Sequence, residues 1–484
     1  MANITKHRLV FTGIILYLVL FLTDIPALAI SIEDEKKVGD QFVDSVKQYL
    51  VQDDFINDYI NKLGHFLTES LETKHFPYNF YIIGENDLNA FAVPGGHIFF
   101  FTGLIEAMDE VDELAAVMCH EIGHEYYRHY SHRIGQATKI NLASMVGFLA
   151  GALMGGEAAE AIIAGTMAAG QQKMLSYSRD DERQADIAGF EYLLKSGFDP
   201  RAIKRALDIL QQGRWEINKI PPYLLTHPLG PERIANIDAM LASPIDPPVK
   251  EETIYFRKTY PLFRTIIKAG YWEDESAEQY YTNELKNNPE SPLADLGMAI
   301  VLKKKSDYPK AIEHFKLAVG KLSEPLLVLR YLSETYQLNG QDEEAIDILK
   351  GILKKDARDK PALFCLANSY QNLEEYSKAE EIYEKLKYME PIKDEVFYNL
   401  GLSYGRENKL GPAHYNFGLY FKRLKKWDKA GFHFRKAEEE AKDDPELLSR
   451  IAKAMEEMEQ DIPPQRPDFS DESSNWYNPH SNYR

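Results

Sequence analysis

The sequence predicts a mainly α-helical chain in two parts: an α+β domain with a small sheet, then a solenoid of helical hairpins. Three observations carry this. Apolar residues recur at helical spacing over most of the chain. Residues 78–101 instead read as β-structure. From about residue 276 the alanines Ala277, Ala311, Ala345, Ala379 and Ala413 recur every 34 residues, a period that marks stacked helical repeats. With 484 residues, 44% of them hydrophobic, the chain can build two or three domains with real cores.

The first 29 residues read as a secretory signal peptide. Lys6 and Arg8 precede an apolar run from Leu9 to Leu22, and Pro26-Ala27-Leu28-Ala29 offers a cleavage site near Ala29. An uncleaved anchor is the rival reading, but the run is shorter than the ~20 residues of a spanning helix. No cysteine follows it at the cleavage site, which excludes a lipoprotein anchor. Lys and Arg total 56 against 75 Asp and Glu, a formal charge of −19. That balance argues against a nucleic-acid partner and leaves at most a peripheral association with membranes. Cys119 and Cys365 lie in different segments, so no disulfide framework is expected. Cys119 is expected as a small buried residue rather than a metal ligand.

Within residues 31–75 two amphipathic helices are expected, carried by Phe42, Val46 and Leu50 and by Ile56, Tyr59, Ile60, Leu63, Phe66 and Leu67. Residues 78–85 read as a strand. A second strand reading covers Ala90–Val93 and His97–Phe101, interrupted by Pro94-Gly95-Gly96. The proline demotes it to an edge strand, whose exposed backbone can pair with an extended peptide, and the two glycines read as a turn or bulge. Residues 104–135 read as helix. Residues 142–170, rich in Ala, Gly and Met, read as a helical hairpin beside the site, their uncharged part too short to span a bilayer. Helices are expected at about 172–196 and 200–213. Pro221-Pro222 then opens a loop that His227-Pro228 ends before a short helix.

In the second part, Tyr281, Phe315, Leu349, Tyr383 and Phe417 stand four residues after the periodic alanines, and Leu302, Tyr336, Tyr370 and Tyr404 nine before the last four of them. This is the pattern of tetratricopeptide (TPR) hairpins, in which the alanine lets helices approach and the aromatics fill the seam. Ala430, Phe434 and Ala437 repeat the second-helix signature only 17 residues after Ala413. The helix after Ala413 is therefore expected to serve two successive repeats. Residues 463–484, with four prolines and many polar residues, are expected to be disordered. The expected domains are 30–250 and 251–462.

The chemistry concentrates in His120-Glu121-Ile122-Gly123-His124, an HExxH motif. Residues four apart share a helix face, so both imidazoles can reach one ion, with Glu121 beside it to activate a bound water. A catalytic zinc asks for a third protein ligand and one open position. The metzincin extension would put Gly and His where Tyr127 and Tyr130 stand, so that class is rejected. His129 and His132 read as solvent-facing or supporting residues. Downstream, Ser178-Arg179-Asp180-Asp181-Glu182-Arg183-Gln184-Ala185-Asp186 places Glu182 and Asp186 on one helix face. One can bind the ion while the other holds a ligand imidazole or handles a proton. The plain alternative is a solvated acidic face.

HEIGH followed by SRDDERQAD resembles the HtpX and CAAX-prenyl-protease family of gluzincin peptidases. Asn89–Gly96, Gly103-Leu104-Ile105 and Thr226-His227-Pro228 with Glu232-Arg233-Ile234 agree with that family's pattern. With a signal peptide and C-terminal TPRs, the chain is most similar to the soluble periplasmic branch, the BepA-like β-barrel assembly-enhancing proteases. The resemblance implies a zincin-type metallopeptidase domain with one Zn2+, Glu182 as third ligand, and Asp186 as proton donor or partner of a ligand. His227 either stabilises an oxyanion or occupies the metal's fourth position; the plain alternative is a loop histidine fixed by Pro228.

The expected function is an exported zinc endopeptidase of the periplasm. It would hydrolyse misfolded or unassembled envelope proteins, chiefly of the outer membrane, with the TPRs recruiting protein clients or assembly machinery. The alternative is a TPR chaperone or scaffold whose metal domain is latent or structural. Glu121 separates the two, because a structural zinc site does not need it. A membrane-embedded prenyl-protein protease is disfavoured by the lack of long apolar spans.

Overall fold

The computed structural model describes residues 31–136, 177–216 and 220–461. The signal peptide expected at 1–29, the hairpin expected within 142–170 and the tail expected at 463–484 lie outside the described residues. The chain divides into two compact units, Met1–Val328 and Leu329–Arg484.

The first unit opens with α1 (Ile32–Val46) and α2 (Asp54–Thr68), the two amphipathic helices expected. Ser31 and Asp53 cap them, each accepting a backbone N–H from the first turn. Strands β1 (Asn79–Ile83), β2 (Ala90–Val93) and β3 (His97–Phe101) form a sheet of order β1-β3-β2, with β1 parallel and β2 antiparallel to β3. The single interrupted strand expected over 90–101 is therefore two strands. Pro94-Gly95-Gly96 is the hairpin turn between them, and both glycines take positive φ (95° and 88°). Of these two strands only β2 is at the edge; β3 is central. Each residue of β2 is at most 2% exposed, so the expected open edge is covered. Phe42, Phe91, Phe99 and Phe101 pack the core between α1 and the sheet.

The single helix expected over 104–135 is three: α3 (Thr102–Ala107), α4 (Val111–Tyr126) and α5 (His129–Gln136). Glu110 and Glu113 form a reciprocal cap that starts α4. Arg128, at φ 53°, takes the left-handed conformation that separates α4 from α5, and its side chain pairs with buried Glu35. Next come α6 (Arg179–Lys195), α7 (Ala202–Glu216), α8 (Pro222–Thr226) and α9 (Pro231–Leu241). The loop expected from Pro221 thus contains a helical turn. Pro222 starts it, since a proline at the first helical position forfeits no hydrogen bond.

A helix over Glu251–Tyr271, α10, is not among those expected from the sequence; it runs through Pro261. Its Phe256 and Phe263 pack on Tyr59 of α2, the latter ring stacked at 4.2 Å. Its Tyr260 hydroxyl donates to the carbonyls of Ile105 and Met108 at the end of α3. Three helices follow, α11 (Asp274–Asn287), α12 (Pro292–Lys304) and α13 (Tyr308–Ala318); α14 (Pro325–Leu338) spans the division between the units.

The second unit continues through α15 (Asp342–Lys355), α16 (Lys360–Asn372), α17 (Tyr376–Leu386), α18 (Asp394–Arg406), α19 (Leu410–Arg423), α20 (Trp427–Glu440) and α21 (Pro445–Asp461). The repeat is written in its turns. Ser306, Gly340, Glu374 and Asn408 all take positive φ, 34 residues apart, and Lys425 joins them 17 residues later. Each following N–H reaches back five residues, as from Asp307 to Leu302 and from Lys426 to Phe421, closing a Schellman cap. The turn after α19 is thus the turn that follows every first helix, so α19 does serve two successive repeats.

Candidate metal centre

Every residue of α4 from Val111 to Glu125 is buried, so the HExxH motif sits on a helix enclosed on all sides. The helix bearing Glu182 comes close because the contact is built from small residues. A Cβ on Gly123 would stand 3.1 Å from the Ala185 backbone, and one on Gly189 3.2 Å from the His120 nitrogen. Helix α6 begins with a reciprocal cap between Ser178 and Asp181. Asp180 and Arg183 pair on its exposed side, whereas Glu182 and Asp186 are 3% and 5% exposed. The solvated acidic face thus exists, but it excludes these two carboxylates.

Four side chains converge: His120, His124, Glu182 and His227. His120 Nε2 lies 3.0 Å from His124 Nε2 and 3.3 Å from His227 Nδ1. Glu182 Oε1 lies 3.0 Å from His227 Nδ1 and 3.4 Å from His124 Nε2, and Oε2 lies 3.6 Å from His120 Nε2. Four ligands at the ~2.0–2.1 Å usual for zinc stand about 3.3–3.4 Å apart in a tetrahedron. The donor set fits such an ion in type and spacing. Both carboxylate oxygens of Glu121 are buried without a hydrogen-bond partner among the described residues, and Oε1 lies 3.5 Å from His227 Nε2.

Asp186 stands outside this donor set. Its Oδ1 lies 2.9 Å from His120 Nδ1, and both its oxygens accept from Arg233, at 2.8 and 2.9 Å. Arg233 Nη1 also pairs with Glu182 Oε2. Burial opposes charge on both carboxyls. Arg233 and the imidazoles outweigh it, holding Glu182 well below and Asp186 below the usual carboxylate range. Burial opposes the imidazolium of His120 too, but the carboxylates of Asp186 and Glu182 raise its pKa to about 9.

Aromatic rings wall the site. Tyr223 stacks on His227 at 4.4 Å, and Tyr177 lies 3.8 Å from His124 and 4.9 Å from His227, centroid to centroid. A cavity of about 670 Å3, lined by Tyr177, Glu182, Pro228, Leu229, Pro231 and Arg233, opens beside Glu182.

All six sequence-predicted residues lie in this region: four in the donor cluster, Glu121 beside it, and Asp186 behind His120. Cys119 is buried, as expected. His132 is exposed, whereas His129 is 4% exposed and touches His124. The sequence reading did not give Arg233, Gln184, Tyr177 or Tyr223 a role. Arg233 and Gln184 carried a signal, the first as part of the segment following His227-Pro228 and the second inside Ser178–Asp186.

Residues 56–241 match peptidase family M48. The β-barrel assembly-enhancing protease of Yersinia pestis is 32% identical over 212 residues, 43% of this chain and 44% of that protein, so the match spans less than half of that relative. The β-barrel assembly-enhancing protease of Escherichia coli (strain K12) is 30% identical over 359 residues, 70% of each chain. Among solved structures, a thermophilic TPR protein of Thermus thermophilus is 23% identical with a TM-score of 0.27, over 41% of this chain and 98% of that one.

Proposed function

The chain belongs to peptidase family M48, and from that membership we propose that it is a zinc-dependent endopeptidase acting on misfolded or unassembled envelope proteins. One observation carries the reading: four metal-type donors converge beside a buried Glu121 that has no hydrogen-bond partner among the described residues. His120, His124 and Glu182 would hold the ion. When bound, zinc acidifies a water and polarises the substrate carbonyl. Glu121, with no hydrogen-bond partner among the described residues and only His227 Nε2 nearby at 3.5 Å, would take the proton from the attacking water and pass it to the leaving amine. Asp186 orients His120 rather than touching the reacting atoms, and Arg233 offsets the charge of Asp186 and Glu182. The cavity beside Glu182 receives the peptide.

His227 closes the donor set. Its contacts of 3.0 and 3.3 Å favour the fourth-ligand form over the oxyanion form, and in that form it would hold the enzyme latent. A closed four-ligand set is also what a structural zinc site has, the observation that favours a TPR scaffold with a silent metal domain. Glu121 weighs against that scaffold. We place the protein in the periplasm with outer-membrane clients; relatives named for enhancing β-barrel assembly support a role in assembly, with partners recruited by the TPRs. Among the described residues no helix is long and apolar enough to cross a membrane. We take 1–29 as signal peptide, 30–250 as peptidase domain, 251–462 as repeat domain and 463–484 as tail.

The test is cleavage of an unfolded protein such as casein. Glu121→Gln should retain zinc and lose about 10²–10⁴-fold in rate; full activity in that variant would falsify the peptidase mechanism. His227→Ala should raise the rate if the residue is a latch. A fall would assign it to the oxyanion instead.

A further inference from the structure

We propose that His129 is a positioning residue that fixes the metal-binding tautomer of His124. The inference rests on the zinc reading above. His120 and His124 both turn Nε2 into the donor cluster. Each must then carry its proton on Nδ1 and find an acceptor there. For His120 the acceptor is Asp186 Oδ1 at 2.9 Å. For His124 it is another imidazole, His129 Nδ1 at 3.0 Å.

Two ring nitrogens at that separation share one hydrogen. His124 Nδ1 holds it, so His129 presents a bare Nδ1 and keeps its own proton on Nε2. The groups on that side are acceptors: Gln184 Oε1 at 3.4 Å and Asp181 Oδ1 at 3.9 Å. The relay therefore runs one way. His129 donates from Nε2 to Gln184, His124 donates from Nδ1 to His129, and His124 Nε2 is left bare for the ion.

The arrangement depends on the chain break between α4 and α5. On a continuous helix, residues five apart point in different directions. The left-handed Arg128 folds His129 back onto His124. Tyr127 stacks on the His129 ring at 5.5 Å, and the ring is 4% exposed, so water does not compete for its nitrogens.

The experiment titrates the metal-stripped full chain with zinc against a chromophoric chelator, alongside thermal unfolding of the metal-free protein. His129→Phe fills the space without an acceptor and should weaken zinc binding about 10–100-fold. His129→Asn, whose amide both accepts and donates, should stay within about threefold of wild type. Zinc affinity of His129→Phe within about threefold of wild type overturns the proposal. So does an equal loss in both variants. If His129→Phe melts far below wild type without metal, Gln184→Leu tests the same relay: a several-fold loss supports it, and unchanged affinity overturns it. Wild-type protein that takes up no zinc sinks the metal reading itself, independently of His129.

Discussion

Single side chains in this protein do different work at equal burial. Glu121 and Glu182 are both enclosed, yet Glu182 is neutralised by Arg233 and the imidazoles, whereas neither oxygen of Glu121 has a hydrogen-bond partner among the described residues. Glu106, outside the motif, shows the cost of burial that is poorly compensated. It is 7% exposed, and burial, only partly offset by Lys268 and by the hydrogen bond from Trp272, raises its carboxyl to about 7. A carboxyl raised on folding contributes stability that is full below the ordinary carboxylate range and is lost as the pH rises through about 7. Glu106→Gln keeps an acceptor for Trp272 Nε1, and Lys268 keeps its place over the Trp272 and Tyr280 rings. The variant should therefore match wild type near pH 5 and exceed it near pH 8, on the order of 1–3 kcal/mol in denaturant titrations.

At the scale of elements, the repeat depends on backbone conformation as much as on its packing alanines. Five first helices end on a left-handed residue, and only one of these five, Gly340, is glycine. A Cβ at Gly340 meets nothing within 4 Å, so Gly340→Ala tests backbone strain alone. It should cost about 1 kcal/mol. Lys425→Gly, at the extra turn between α19 and α20, should bring a gain of similar size. Urea midpoints of the two variants, moving in opposite directions, would check this; shifts of the same sign would remove the turn as their cause. The active-site helices obey a different rule: Gly123, Ala185 and Gly189 are small because α4 and α6 must nearly touch for Glu182 to reach the histidines.

For the molecule as a whole, packing addresses where the peptidase ends and the repeats begin. The family match ends at residue 241, and a boundary after 250 falls just before α10. Yet Phe256, Tyr260, Phe263 and Ile267 of α10 are at most 3% exposed, the first three against α2 and α3. Each such side chain is worth about 1.5–3 kcal/mol of burial. A fragment ending at residue 250 should consequently aggregate or unfold, whereas one ending near residue 328 should melt cooperatively. Circular dichroism melts of the two fragments decide it. If the shorter one is equally stable, α10 is an appendage of the repeats.

Sequence alone determined the helical character, the 34-residue period, the 17-residue overlap and the residues that meet at the site. These are local facts: residues four apart share a helix face, and a repeat is visible wherever its small and aromatic positions recur. Even the shared helix α19 was legible, because Ala430 and Phe434 repeat a pattern already seen. Tertiary structure alone decided the rest. It split one expected helix at Arg128, enclosed the edge strand, turned Asp186 onto His120, and brought Arg233 and His129 to the metal donors. None of these follows from spacing, because each depends on which distant groups share a low-dielectric interior, and there every charge and proton must find a specific partner.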